Sequence, residues 1–138
     1  MNINAKDQVV GRIATIAAKK ALLGELVNIV NCEQAVLSGT KTVTLARMLH
    51  MRERGTWAKG PFIHRMPDRL MKRMIRGMVP WDRGRGKMAM RKIKCYLGVP
   101  NQLQKETFAA VSGADMRKLT NTKYVTLKEV CKHMGGRQ

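Results

Sequence analysis

Between Pro67 and Met78 two series repeat with the same spacing: Arg69, Lys72, Arg73 and Arg76, and, two residues on, Met71, Met74, Ile75 and Met78. Each series runs i, i+3, i+4, i+7. At about 100° per residue the offset sets them about 200° apart on a helix, a cationic ridge opposite an apolar one. Such a helix has one satisfactory placement. Its apolar ridge docks on a core, and its charged ridge stays outside, because an unpaired buried charge is prohibitively costly. Pro67 suits the first helical position, where its missing N–H is no loss.

The ridge sits inside a longer cationic stretch. From Arg52 to Lys94 there are 14 Lys and Arg against Glu53, Asp68 and Asp82, which supplies +11 of the chain's net +18. A cationic field this dense concentrates polyanions and releases their counterions, so the composition points to a nucleic-acid binder. Self-repulsion in the isolated chain is relieved by such a partner, and some basic segments are expected to be fully ordered only when bound. At 138 residues, 44% of them hydrophobic, the chain is expected to form a single domain over 1–138 with a real core rather than a disordered basic tail. No apolar run approaches a membrane span, and the N-terminus lacks a charged-then-apolar leader pattern, so a cytoplasmic location is expected. Cys32, Cys95 and Cys131 form no C-x-x-C pair and are expected to be free thiols in a reducing compartment.

Around the ridge the sequence reads as α/β. A brief strand near Met1 to Asn4, an amphipathic helix from Gly11 to Leu23 and a strand over Leu26 to Asn31 make a βαβ unit, whose crossover is expected to be right-handed. In that helix Arg12, Thr15 and Lys19 share one face, away from Ile13, Ile16, Ala17 and Ala21. Ala35 to Gly39 ends in a turn or cap signal. Thr40 to Met51 predicts a second helix, with Ser38 or Thr40 available as its cap and Val43, Leu45, Met48 and Leu49 available to the core. Periodicity is lost from Arg52 to Pro67, where Gly55, Gly60 and Pro61 punctuate a basic loop; a second loop spans Trp81 to Gly86. A short helical stretch then carries Lys87, Arg91 and Lys94 at i, i+4, i+7, and Ile93 to Leu97 can enter the sheet. Thr126-Leu127-Lys128-Glu129 is a capping box that starts a last helix closed by Gly135-Gly136.

Other chemistries find little footing. Gly39-Thr40-Lys41-Thr42 departs from a P-loop, since Thr40 separates Gly39 from Lys41 and position 34 is Gln. Cys131 and His133, with the distant His50, His64, Cys32 and Cys95, have no zinc-motif spacing, so no metal or cofactor is expected. His64 reads as a polar contact to RNA or a loop hydrogen bond rather than a general base. Eleven methionines against six aromatic residues suggest a core of flexible aliphatic chains rather than a base-stacking platform. Trp57 and Trp81, each in a basic loop, either stack on a splayed base or wedge their loop against the domain. The cationic candidates for phosphate contact are Arg52, Arg54, Lys59, Arg65, Arg69, Lys72, Arg73, Arg76, Arg83, Arg85, Lys87, Arg91 and Lys94; arginine's planar fork suits bidentate phosphate contacts.

Three blocks carry a family resemblance: Gly60-Pro61-Phe62-Ile63-His64-Arg65-Met66-Pro67-Asp68-Arg69, Ile75-Arg76-Gly77-Met78-Val79-Pro80, and Ile93-Lys94-Cys95-Tyr96-Leu97-Gly98. With Val10 to Ala14 and Val30 to Glu33, their order resembles the large-subunit ribosomal protein L-thirteen family over about the first 100 residues. The His-Arg-x-Pro-Asp-Arg form is similar to its archaeal and eukaryotic branch. The resemblance implies a three-layer α/β/α sandwich around a mostly parallel four-stranded sheet, binding to 23S-type rRNA early in assembly beside neighbouring large-subunit proteins, and no enzymatic role. By matched position it implies RNA contact at Gly60, His64, Arg65, Arg69, Arg76, Gly77 and Lys94. Trp81-Asp82 after Pro80, and Cys32 where the family commonly has Ala, depart from the pattern. An RNA-processing or modifying enzyme and a chromatin-like DNA-binding protein stand as the alternatives.

Overall fold

The computed structural model describes residues 1–136. Strand β1 (Asn2–Asn4) leads through helix α1 (Val10–Leu22) to strand β2 (Val27–Val30); then follow β3 (Val36–Ser38), α2 (Lys41–Glu53), α3 (Pro67–Arg76), α4 (Gly84–Lys92), β4 (Ile93–Cys95), β5 (Tyr124–Thr126) and α5 (Leu127–His133). The expected βαβ unit is present. Strands β1, β2 and β4 form a parallel sheet in that order, with Ile3 opposite Ile29 and Ile29 opposite Cys95. Side-chain pairs tie the first two strands: Asn28 Nδ2 donates to Asn2 Oδ1 and Asn31 Nδ2 to Asn4 Oδ1, both at 2.9 Å.

This sheet has three strands; on the outer edge of β1 a single parallel bridge joins Ile3 to Ala109. A second, antiparallel sheet of two strands pairs Val36 with Thr126 and Ser38 with Tyr124. Neither strand of this pair is foreseen in the sequence as a sheet member.

Helix α1 buries Val10, Ile13, Ala14, Ala17, Ala18 and Ala21, and leaves Arg12, Thr15 and Lys19 exposed, as its periodicity predicts. It packs against both α3 and α4. On α3 the buried side is Leu70, Met71 and Ile75, with Met74 half-buried. Each full burial is worth about 1.5–3 kcal/mol. Met78 departs from its ridge and is exposed, while Val79 is buried. The helix ends at Arg76 and the chain tightens to i→i+3 bonds, from Gly77 N to Met74 O, Met78 N to Ile75 O and Val79 N to Arg76 O, so the 100° repeat no longer applies.

Helix α2 corrects the sequence expectation. None of its residues is buried: Val43 is exposed, and Leu45 and Met48 reach the core only in part. Thr40 stands at its N-cap position without a side-chain hydrogen bond. The methionine-rich core is a second correction. Of the eleven methionines, Met71, Met90 and Met134 are buried, and the interior is built from Ile, Val, Ala and Leu. Compact aliphatic side chains suit the close approach of helices to short strands.

The segment after Pro100 belongs to this core. Val111, Ala114, Val125, Leu127, Val130, Cys131 and Met134 join residues of β1, α1, β2 and α3 in one cluster. Half of the capping box forms: Thr126 Oγ1 accepts from Glu129 N at 3.3 Å, while the Glu129 carboxylate pairs with Lys41. After the helix, Gly136 N reaches Cys131 O at 2.8 Å. No helix of the described residues is long and apolar enough to cross a membrane.

Candidate nucleic-acid interface

Helices α3 and α4 both rest on α1, and between them lies a cleft of about 400 Å³. Its walls are Arg69, Lys72, Arg73 and Arg76 from α3, Lys87, Met90 and Arg91 from α4, with His64 and Trp81 from the loops before each helix. Among the described residues no carboxylate lines it. The pattern of α3 aims its four cations outward, and on α4 Lys87 and Arg91, one turn apart, line the same cleft.

These cations are also unneutralised. Among the described residues the salt bridges are Lys20 with Glu25 at 2.8 Å and Lys41 with Glu129 at 3.3 Å, both outside the stretch from Arg52 to Lys94. Six like charges around one hollow repel each other, and an anion that enters it relieves that repulsion. Arg76 is held in place: its guanidinium carbon lies 5.4 Å from the centroid of the Trp81 ring.

A second hollow, about 320 Å³, continues from the first across Arg69 and Lys72 to Lys94, Cys95 and Tyr96 at the end of β4, with Asp68 on its wall. Asp68 opens the first turn of α3, where the helix dipole favours a carboxylate. Its Oδ1 is buried without a hydrogen-bond partner. Burial, then the charge of Asp68, pushes the Cys131 thiol up to about 12. Cys32 is likewise pushed up, by its hydrogen bond with Cys95 and by burial. Cys32 and Cys131 are buried and Cys95 half-buried.

The remaining predicted residues fall elsewhere. Arg52 and Arg65 border a hollow of about 300 Å³ with Glu53, Pro61, Phe62 and Ile63, and their guanidinium groups lie beside Gly135. Arg54 follows α2 as its cap, and Lys59 and Gly60 sit in a turn beyond it. Gly77 caps α3, and Arg83 is exposed at the start of α4. Arg85 is directed away from the cleft: its guanidinium donates to Leu22 O at 3.5 Å, and Lys92 donates to Gly24 O at 2.8 Å. Both thereby serve the carbonyl end of α1, where a helix dipole favours cations. Sequence reasoning missed Met90 as a cleft residue, since only the packing of α4 reveals it.

A fourth hollow, about 500 Å³, is built from Asn4 to Gln8 and from Ala110 to Lys118. Gln8, a buried polar residue, accepts from Val111 N at 3.4 Å there, and Arg12 donates to Gly113 O. Among the described residues no group of His, Cys, Asp and Glu is arranged to hold a metal ion.

The profile of the family described as Ribosomal protein L13 matches residues 1–102. The chain is 44% identical over 135 residues to the large ribosomal subunit protein uL13 of Methanococcoides burtonii, covering 98% of this chain and 97% of that protein. It is 43% identical to the protein of the same name from Methanosarcina barkeri, with the same coverage, and 40% identical to that of Archaeoglobus fulgidus, covering 98% of this chain and 87% of that one.

Proposed function

The chain belongs to the ribosomal protein L13 family, and from that membership we propose that it is a structural constituent of the large ribosomal subunit that binds large-subunit rRNA and helps its early assembly. The observation that carries the binding mode is the cleft between α3 and α4, with six Lys and Arg side chains and no carboxylate in its walls. The mechanism is electrostatic and architectural. Phosphates of converging rRNA segments sit against Arg69, Lys72, Arg73, Arg76, Lys87 and Arg91, and Lys94 extends the track along the second hollow. Phosphate contacts fix position, and selectivity comes from RNA shape and unpaired bases.

Arg52, Arg54, Lys59, Gly60, His64, Arg65, Gly77 and Arg83 extend the footprint over the loops; Arg85 acts by holding the end of α1. Neighbouring large-subunit proteins are the other partners, and the ribosome sets a cytoplasmic location. The protein acts as a binder and not as an enzyme, a reading supported by a cleft whose one imidazole, His64, faces cations rather than a carboxylate. The same membership supports one domain over residues 1–138 in a three-layer α/β/α arrangement, with the chain at Ala109 as the sheet's fourth member.

The test is competition at physiological salt. Deproteinised large-subunit rRNA should displace duplex DNA from the protein by far more than cation attraction explains, and the protein should co-sediment with the large subunit. Equal affinity for the two polyanions, or absence from the subunit, overturns the proposal. Cleavage or modification of the rRNA that is lost in His64→Ala would establish the enzyme instead.

A further inference from the structure

Trp57 is 93% exposed, the most uncovered large apolar side chain of the described residues, and Phe62 in the same loop is 68% exposed. The turn that presents the indole is built rather than slack. Gly60 N donates to Thr56 O at 2.9 Å, and Lys59 N to Thr56 Oγ1 at 3.4 Å. At its foot the backbones of Gly55 and Gly60 touch: a Cβ on Gly55 would fall 1.8 Å from Gly60 O, and one on Gly60 would fall 3.1 Å from the Phe62 ring. The chain thus closes a five-residue turn on two side-chain-free positions and sets Trp57 at its tip.

An indole held in water has no stabilising role inside this molecule, so Trp57 does not wedge its loop against the domain. Its surroundings name the partner. From Arg54 to Pro67 the chain has Arg54, Lys59 and Arg65 and no acid. Those cations complement a phosphate backbone and would disfavour the cation-rich surface of another RNA-binding protein. Within a nucleic acid, the group that takes an indole face is an unpaired base. We propose that the turn Thr56–Gly60 is a stacking probe, in which Trp57 docks on a splayed-out nucleobase while Arg54 and Lys59 hold the flanking phosphates. This rests on the rRNA reading above and adds to it a base-directed contact outside the α3–α4 cleft.

The test uses the full chain and deproteinised large-subunit rRNA. In a Trp81→Phe background Trp57 is the sole indole, and its emission should be quenched as rRNA is added. In the otherwise native chain Trp57→Ala should lower rRNA affinity about 5- to 150-fold, the range for one stacked base. The salt dependence should stay as it was, because stacking releases no counterions, and Trp57→Phe should recover most of the loss. Unchanged circular dichroism establishes that Trp57→Ala folds. Unquenched emission together with native affinity in Trp57→Ala overturns the stacking proposal and leaves the cleft reading standing. Quenching that appears in intact subunits but not with naked rRNA also overturns it, since the occupant is then a protein. Failure of the native chain to bind rRNA removes both.

Discussion

Arg76 and Trp81 clasp the two cationic helices together: the last residue of α3 lies over an indole, 5.4 Å from its centroid, that belongs to the turn leading into α4. The ring holds the guanidinium over the cleft rather than letting it swing into solvent. Trp81→Ala should therefore weaken rRNA binding about 2- to 5-fold, the equivalent of an exposed cation–π contact of about 0.5–1 kcal/mol. Trp81→Phe should lose less. A filter-binding titration of the three proteins checks this, and equal affinities would show that the ring has no part in holding Arg76.

The charge on α3 should be visible in the salt dependence. For every phosphate left without its cation by Arg69→Ala, Arg73→Ala or Arg76→Ala, the slope of log affinity against log salt should flatten by about 0.7 to 0.9. All three side chains line the same cleft, so the triple variant should show the largest flattening. An unchanged slope would place the RNA on another face.

Two glycines at the start of α4 should respond with opposite sign. A Cβ on Gly84 meets nothing within 4 Å, so Gly84→Ala should stabilise the fold by about 0.4–1 kcal/mol through the unfolded chain's lost freedom. On Gly86 the same atom would fall 2.0 Å from Pro80 O, and the backbone there has to move. Gly86→Ala should cost about 1–3 kcal/mol. Urea midpoints of the two variants measure the difference.

Stability should decline at high pH in part through Cys131. Burial and Asp68 raise its thiol from 9.0 to about 12, so the folded chain keeps the proton where the unfolded chain has released it. The contribution is complete below pH 9 and is lost as the pH climbs from there toward about 12. Cys131→Ala should show a shallower decline across that window in denaturation midpoints taken at intervals of pH. A decline as steep as that of the native chain would show that other groups govern it.

The parts of the fold that were legible are those written in one stretch of chain. The opposed ridges of α3, the faces of α1 and the Thr126 N-cap each depend on residues within a few positions of one another. Strands β3 and β5 were not legible, because three residues are too few for a period and Val36 finds Thr126 only through long-range packing. The start of α4 was hidden for a different reason. Gly84 and Gly86 read as loop punctuation, whereas Gly86 is there to let the helix pass against Pro80. The cleft was half legible: the sequence places cations on both walls, but that Arg85 turns back to Leu22 while Lys87 and Arg91 face α3 depends on how α4 lies on α1.

Helix α5 has a consequence for synthesis. Leu127, Val130, Cys131 and Met134 are fully buried, yet in chain order they come well after α3 and α4. A ribosome building the chain from its N-terminus therefore makes the arginine-bearing helices before this part of the core exists. The attraction of the nascent protein to polyanions precedes its fixed shape.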